Sequence, residues 1–155
     1  MLVRGVTKDT DVARISIIGV PNVPGIAYKI FGKLAAKNIN VDIILQSVGR
    51  DDTKDITFTT TKSHLGDTLE VLENLDLVAG LKILTDTDVA KVSVVGAGME
   101  SHPGIAAKMF EALFEADINI QMIATSEIKI SVLIDVADAD KAVSAVHDAF
   151  IPELS

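Results

Sequence analysis

The sequence predicts an α+β protein built from two copies of one βαββαβ module, and three observations predict it. "PGIAYKIF", starting at Pro24, returns as "PGIAAKMF" at Pro103. Each copy follows a run of β-branched residues, "RISIIGV" and "KVSVVGAG". In both halves, alternating strand periodicity and helical periodicity then succeed each other in the same order.

The elements follow in chain order. Arg14–Val20 reads as a strand, and the segment from Pro24 as a helix with Ala27, Ile30, Phe31, Leu34 and Ala35 on one face. Asn40–Val48 is the second strand, "GRDDTKD" a solvated turn and "DITFTTT" the returning strand. "GDTLEVLENL" predicts a helix with Leu69, Leu72 and Leu75 inward, and Leu81–Thr85 a short closing strand. This is the split βαβ, or ferredoxin-like, order.

The second half repeats it. Its first helix places Ala106, Met109, Phe110, Leu113 and Phe114 inward; "NIQMIATSEI" and "KISVLIDV" form the strand pair, and "DKAVSAVHDAF" the last helix. Only "IPELS" follows Phe150, too short to supply a fourth strand, whereas "LVRGVT" precedes the first copy without a role in it. The N-terminal strand is therefore expected to complete the second module's sheet, because an unfilled edge invites aggregation. The expected modules are 13–88, and 1–12 joined to 89–155.

Composition narrows the function. The 155 residues are 48% apolar, but no run reaches the ~20 residues of a membrane helix, and the start lacks a signal-peptide core. A cytoplasmic protein without a membrane partner is expected. There is no Cys, so disulfides, thiolate metal sites and a Cys nucleophile are excluded. A formal charge of −8 and the absence of Trp argue against a nucleic-acid surface. His64, His102 and His147 are scattered, so no metal site is expected. "GAGMESHPG" fits neither the GxGxxG nor the Walker A spacing, so no nucleotide cofactor is expected. Met99, Met109 and Met122 read as packing residues.

The repeated turn carries the chemistry. A Pro at the first helical turn loses no hydrogen bond, and Gly25 lets backbone or ligand approach closely. The first helical amides lack intrahelical partners and carry the positive dipole end, where a small carboxylate can dock. An amino acid also needs acceptors for its ammonium group. Strand alternation puts Asp42, Ile44 and Gln46 on one face, and Asn40 and Asn119 at the strand starts. Each feature also has a plain reading: Pro-Gly as a turn, Asn as a turn residue, Gln46 and Asp42 as a solvated face, His102 as a loop or capping residue.

The repeated strand–"PG"–helix unit resembles the ACT domain, a small amino-acid-sensing module. The stretches "VTKDTDVARISIIGVPNVPGIA", "NINVDIILQSV", "KVSVVGAGMESHPGIA" and "INIQMIATSEIKISVLI" closely resemble the regulatory part of aspartate kinases. The resemblance spans nearly the whole chain. It implies that threonine, lysine or both bind here and inhibit aspartate phosphorylation, the first step towards lysine, threonine and methionine. The kinase domain of that family lies outside the resembling region, so this chain is expected not to be an enzyme by itself. It resembles either a separate β subunit of an α2β2 enzyme or the regulatory part of a longer chain.

The resemblance also implies site residues. The first effector site would use Asn22, Gly25, Ile26, Ala27 and Gln46, with Asn119 and Ile120 from the other chain of a homodimer. A pseudo-equivalent site would combine Asn40, Val41 and Asp42 with His102, Pro103, Gly104, Ile105, Thr125 and Ser126. Two departures stand out. Many amino-acid-binding ACT units carry Asp where this chain has Asn22. Six residues separate Gly96 from Pro103, against four between Gly19 and Pro24, so the two sites cannot be chemically identical.

Three other readings stay open at this stage. A tandem ACT sensor of another amino acid would serve a different enzyme. A freestanding enzyme would use His102 with Glu100 or Asp42 as acid and base, although no nucleophile–base–orienter set is visible. A purely structural dimerisation module would bind no amino acid.

Overall fold

The computed structural model describes residues 3–49, 51–75, 81–98 and 101–153. The chain divides into two compact units, Asp11–Thr87, and Met1–Thr10 joined to Asp88–Ser155. Their boundaries lie within two residues of the expected 13–88 and its complement. At the borders, Lys62 N–H donates to the Asp11 carboxylate at 3.0 Å, and Val136 N–H donates to the Asp88 carbonyl at 3.0 Å.

In the unit Asp11–Thr87, β2 (Ala13–Pro21) leads to α1 (Ile26–Ala36), β3 (Ile44–Val48), β4 (Thr53–Thr60), α2 (Leu65–Glu73) and β5 (Lys82–Asp86). The antiparallel sheet runs β3-β4-β2-β5. Ile15 and Ile17 of β2 and Ile56 and Phe58 of β4 meet Ile26, Ile30 and Leu34 of α1 and Leu72 of α2 in one core. Truncating such a residue to Ala costs about 2–5 kcal/mol. Phe31 meets Phe58 edge-on at 5.4 Å, so α1 lies over β4, next to the open edge strand β3. Arg14 pairs with Asp86 at 3.1 Å across β2 and β5.

The other unit repeats the design with a borrowed strand. β1 (Val3–Asp9) precedes it; β6 (Val89–Gly96), α3 (Pro103–Glu115), β7 (Met122–Thr125), β8 (Lys129–Asp135) and α4 (Ala139–Phe150) follow. Its sheet runs β1-β6-β8-β7, so β1 holds the edge that β5 holds in the first unit. Register sets Asp9 opposite Lys91, as it sets Asp86 opposite Arg14. Val3 is wholly buried in a core with Val92, Val94, Met109, Leu113, Val132 and Phe150. α4 packs over β1 and β6, which leaves α3 on the β8–β7 side.

Several local expectations need correction. Helix α1 starts at Ile26, not at Pro24, because Gly25 caps it in a left-handed conformation with φ 89°. The strands begin at Ile44 and Met122, after rather than at Asn40 and Asn119. Ala35 is exposed and Ile26 takes the buried place on α1. Leu69 is only half-buried, while Thr68 is buried with its hydroxyl donating to the His64 carbonyl at 2.7 Å. Phe114 is 80% exposed, whereas Ala112 and Ile105 are buried.

Candidate functional site

The first Pro-Gly turn is built by its neighbours. A bulge between Ile17 and Val20 bends the end of β2. There Gly19, at φ 78°, donates its N–H to the Asp55 carboxylate at 3.0 Å. Asn22 N–H donates to the Asp52 carbonyl at 3.0 Å, which ties the turn to the β3–β4 hairpin. The first α1 bond runs from Lys29 N–H to the Gly25 carbonyl at 3.0 Å, and no side chain caps the helix. The amides of Ile26, Ala27 and Tyr28 thus have no carbonyl partner among the described residues. Asn22, Pro24 and Gly25 are exposed.

The second turn is not a copy of the first. Pro103 is the first residue of α3, and Gly104 is helical rather than left-handed. The preceding loop folds on itself: the Gly98 carbonyl accepts from Ser101 N–H at 3.2 Å and from His102 Nδ1 at 2.9 Å. Ile105 N–H already donates to the His102 carbonyl at 3.0 Å. His102 is therefore a loop-closing residue here. This connection is two residues longer than the first; Met99 and Glu100, within it, lie outside the described residues. Thr125 ends β7, and Ser126 N–H closes the β7–β8 turn onto the Lys129 carbonyl at 2.8 Å.

Each unit carries its asparagine segment at the far end of its sheet from its Pro-Gly turn. Asn40 is held by the Thr60 hydroxyl, which donates to its carbonyl at 2.7 Å, and Thr60 pairs with Ala13 at the start of β2. Asp42 N–H donates to the Thr59 carbonyl at 3.0 Å. The turn follows Pro21 at the other end, about 25 Å away along the strand. Likewise Gln121, two residues after Asn119, donates to the Leu133 carbonyl at 2.8 Å. Leu133 pairs with Lys91 near the start of β6, whereas the second turn follows Gly96. A small molecule cannot touch both segments of one unit.

Gln46 belongs with the first turn. Val48 and Val20 flank Lys54 from either side, so β3 ends at the same end of the sheet as that turn. Gln46 is exposed and faces the helix side, because it pairs with the core residue Ile56. Val41 and Ile120 each pack against the core of their own unit, so they offer backbone groups more than side chains. Sequence reasoning missed the Asp52 carbonyl and the Asp55 carboxylate, which shape the first turn from a hairpin some thirty residues downstream. No group of three or more acidic or His side chains suited to a metal occurs among the described residues. Nor is any helix there long and apolar enough to cross a membrane.

Comparison with known proteins supplies the family. Residues 13–77 and residues 92–150 each match the model of the ACT domain. An aspartate kinase of Stutzerimonas stutzeri is 46% identical over 150 residues, and an aspartokinase of Helicobacter pylori 47% over 149. The chain spans 36% of the length of either relative. The ligand-free regulatory subunit of aspartate kinase from Thermus thermophilus superposes with a TM-score of 0.89 at 44% identity. That match covers 96% of this chain and 99% of the Thermus chain. A structure of aspartokinase alpha and beta subunits gives 0.86 at 47% identity, covering 96% and 98%. With two ACT units, four-stranded sheets in the same order and near-complete coverage of such subunits, this chain belongs to the family of aspartate kinase regulatory subunits.

Proposed function

We propose that this chain senses threonine, lysine or both for an aspartate kinase and transmits feedback inhibition to its catalytic part. The observation that carries this reading is the separation of turn and asparagine segment within each unit. Both lie beside an open edge strand, β3 or β7. If β3 of one copy lies antiparallel to β7 of a second, the end of β3 meets the start of β7. Asn119 and Ile120 of the second copy then stand beside Asn22, Gly25, Ile26, Ala27 and Gln46. At the other end of the same seam, Asn40, Val41 and Asp42 meet Pro103, Gly104, Thr125 and Ser126. One dimer would therefore hold two kinds of site.

In the first kind, the open amides of Ile26, Ala27 and Tyr28 receive the carboxylate. The carbonyl oxygens of the Gln46 amide and of the second copy's Asn119 amide, with backbone carbonyls of that copy, receive the ammonium group. An effector gripped from both sides favours the assembled state, and a coupling of about 1–3 kcal/mol changes affinity roughly 5- to 150-fold. The second kind has fewer open amides, since Ile105 N–H is already bonded.

Thermal melting with threonine, lysine, the pair and a branched-chain amino acid as control tests this reading. A ligand selective for the native state must raise the melting temperature. Threonine or lysine is expected to do so and to increase light scattering. A flat response to both, at saturating concentration, refutes it.

A further inference from the structure

The two units end the same strand differently. Ser16 pairs with Thr57 in one sheet as Ser93 pairs with Ser131 in the other, which aligns the units residue by residue. On that alignment Gly19 corresponds to Gly96, and Asp55 to Lys129. The β6–β8 ladder keeps one register to its end, and Gly96 N–H continues it to the Ile128 carbonyl at 2.8 Å. In the β2–β4 ladder, Ile18 and Gly19 stand opposite Asp55 alone, and Gly19 is left-handed at φ 78°. This bulge takes Gly19 N–H out of the ladder, and the Asp55 carboxylate accepts it at 3.0 Å.

The β3–β4 hairpin adds a second hold on the first turn. Asp51 and Asp52 at its tip have φ of 54° and 60°, a conformation that Asp tolerates better than most side chains. The Asp52 carbonyl accepts Asn22 N–H at 3.0 Å. The β7–β8 turn closes on itself instead, from Ser126 N–H to the Lys129 carbonyl, and Ser126, Glu127 and Ile128 are not left-handed. The same bulge also serves the core. Ala13, Ile15 and Ile17 share the helix side by alternation, and the added residue brings Val20 to that side, where it is wholly buried.

We infer that Asp55 is a positioning residue for the first effector site, and that the exchange of Asp55 for Lys129 makes the two turns unequal as ligand sites. The inference rests on the reading that the open amides of the first turn receive an effector. Asp55 does not touch that effector. Its neighbour Ile56 faces the helices, so Asp55 faces the other side of the sheet. It acts through the backbone: a carboxylate holding a backbone N–H makes a stronger bond than a neutral acceptor. That bond fixes where Gly19 stands, and Gly19 is six residues before Gly25 on the one connection that presents the amides. Without it a part-buried N–H loses its partner and the bulge is free to shift, while Val20 in the core keeps the strand in place.

Full 155-residue chains carrying Asp55→Ala, Asp55→Asn and Asp55→Glu test this against the unmodified chain. Amide hydrogen exchange is read by NMR, and threonine and lysine are titrated by calorimetry. In Asp55→Ala the Gly19 amide is expected to exchange about tenfold faster. Effector binding should weaken roughly 5- to 50-fold in the same chain. Asp55→Asn keeps an acceptor oxygen in place and should restore both readings to within about threefold of the unmodified chain. Asp55→Glu keeps the charge but displaces the oxygen, and should behave like Asp55→Ala. If the alanine chain does not fold, the contrast between Asn and Glu decides the question. Variants that all titrate like the unmodified chain overturn the inference and leave the effector reading in place. Asp55→Asn binding as weakly as Asp55→Ala overturns it too, because charge and not placement would then be at work. An unmodified chain that binds neither amino acid overturns both the effector reading and this role of Asp55.

Discussion

Ser93 Oγ lies 2.7 Å from Ser131 Oγ on the face of the β6–β8 pair opposite its core. Ser16 Oγ and Thr57 Oγ1 repeat the arrangement at 2.9 Å across β2 and β4. Directly opposed residues on antiparallel strands share a face, so one short polar pair was copied with the module. The second pair is the more consequential one, because Ser93 and Ser131 are each only 3% exposed. Ser93→Ala is expected to leave the Ser131 hydroxyl without its partner and cost about 1–3 kcal/mol. Ser93→Ala with Ser131→Ala together should cost less than the sum of the single changes. Urea titrations of the double-mutant cycle, followed by circular dichroism, check both statements.

The N-terminal strand belongs to the sheet of the C-terminal half. Removal of residues 1–7 should strip β6 of most of its pairing with β1, and the core of Val3, while β6 keeps β8 on its other side. Hydrogen exchange is expected to accelerate in β6 and α4 well before β2 and β4. Equal loss of protection in both units would contradict the assignment.

The two turn glycines should respond oppositely to alanine. Gly25, at φ 89°, would force a side chain into the left-handed region at about 1–2 kcal/mol. Gly104 is helical, and a Cβ there meets nothing within 4 Å. Gly104→Ala is expected to stabilise by roughly 0.5–1 kcal/mol through helix propensity. Melting temperatures should therefore move in opposite directions. Gly25→Ala should also weaken any threonine- or lysine-induced stabilisation, as the turn amides shift.

Gln46→Ala and Asn119→Ala probe the proposed effector contacts. Both residues are exposed, so the fold should persist in each variant. Loss of one hydrogen bond to a buried ligand costs about 1–3 kcal/mol. With about 1.4 kcal/mol per factor of ten, effector titrations should shift right by roughly 5- to 150-fold. Unchanged calorimetric titrations in both variants would remove these two residues from the site.

Much of the architecture was readable before any coordinates. The Pro-Gly repeat, the order of the elements and the strand surplus at the start all follow from local pattern, and local pattern is what sequence records. Ile30 and Leu34, Met109 and Leu113 fall inside their cores as their spacing requires. The inward face expected from periodicity is too wide at Ala35 and Phe114. At 100° per residue both stand on the far side of their helices from the buried residues Ile30 and Leu34, and Met109 and Leu113.

The sequence by itself determined that one module was duplicated, that its two connecting turns differ in length, and which family the chain belongs to. Tertiary structure alone decided that Gly25 is left-handed while Gly104 is helical. The first turn is held by the Asp52 carbonyl and the Asp55 carboxylate, whereas the second closes on the Gly98 carbonyl. It also decided that turn and asparagine segment stand at opposite ends of each sheet. Strand direction and register are set by hydrogen bonds between segments far apart in the chain, and no local pattern of residues encodes them.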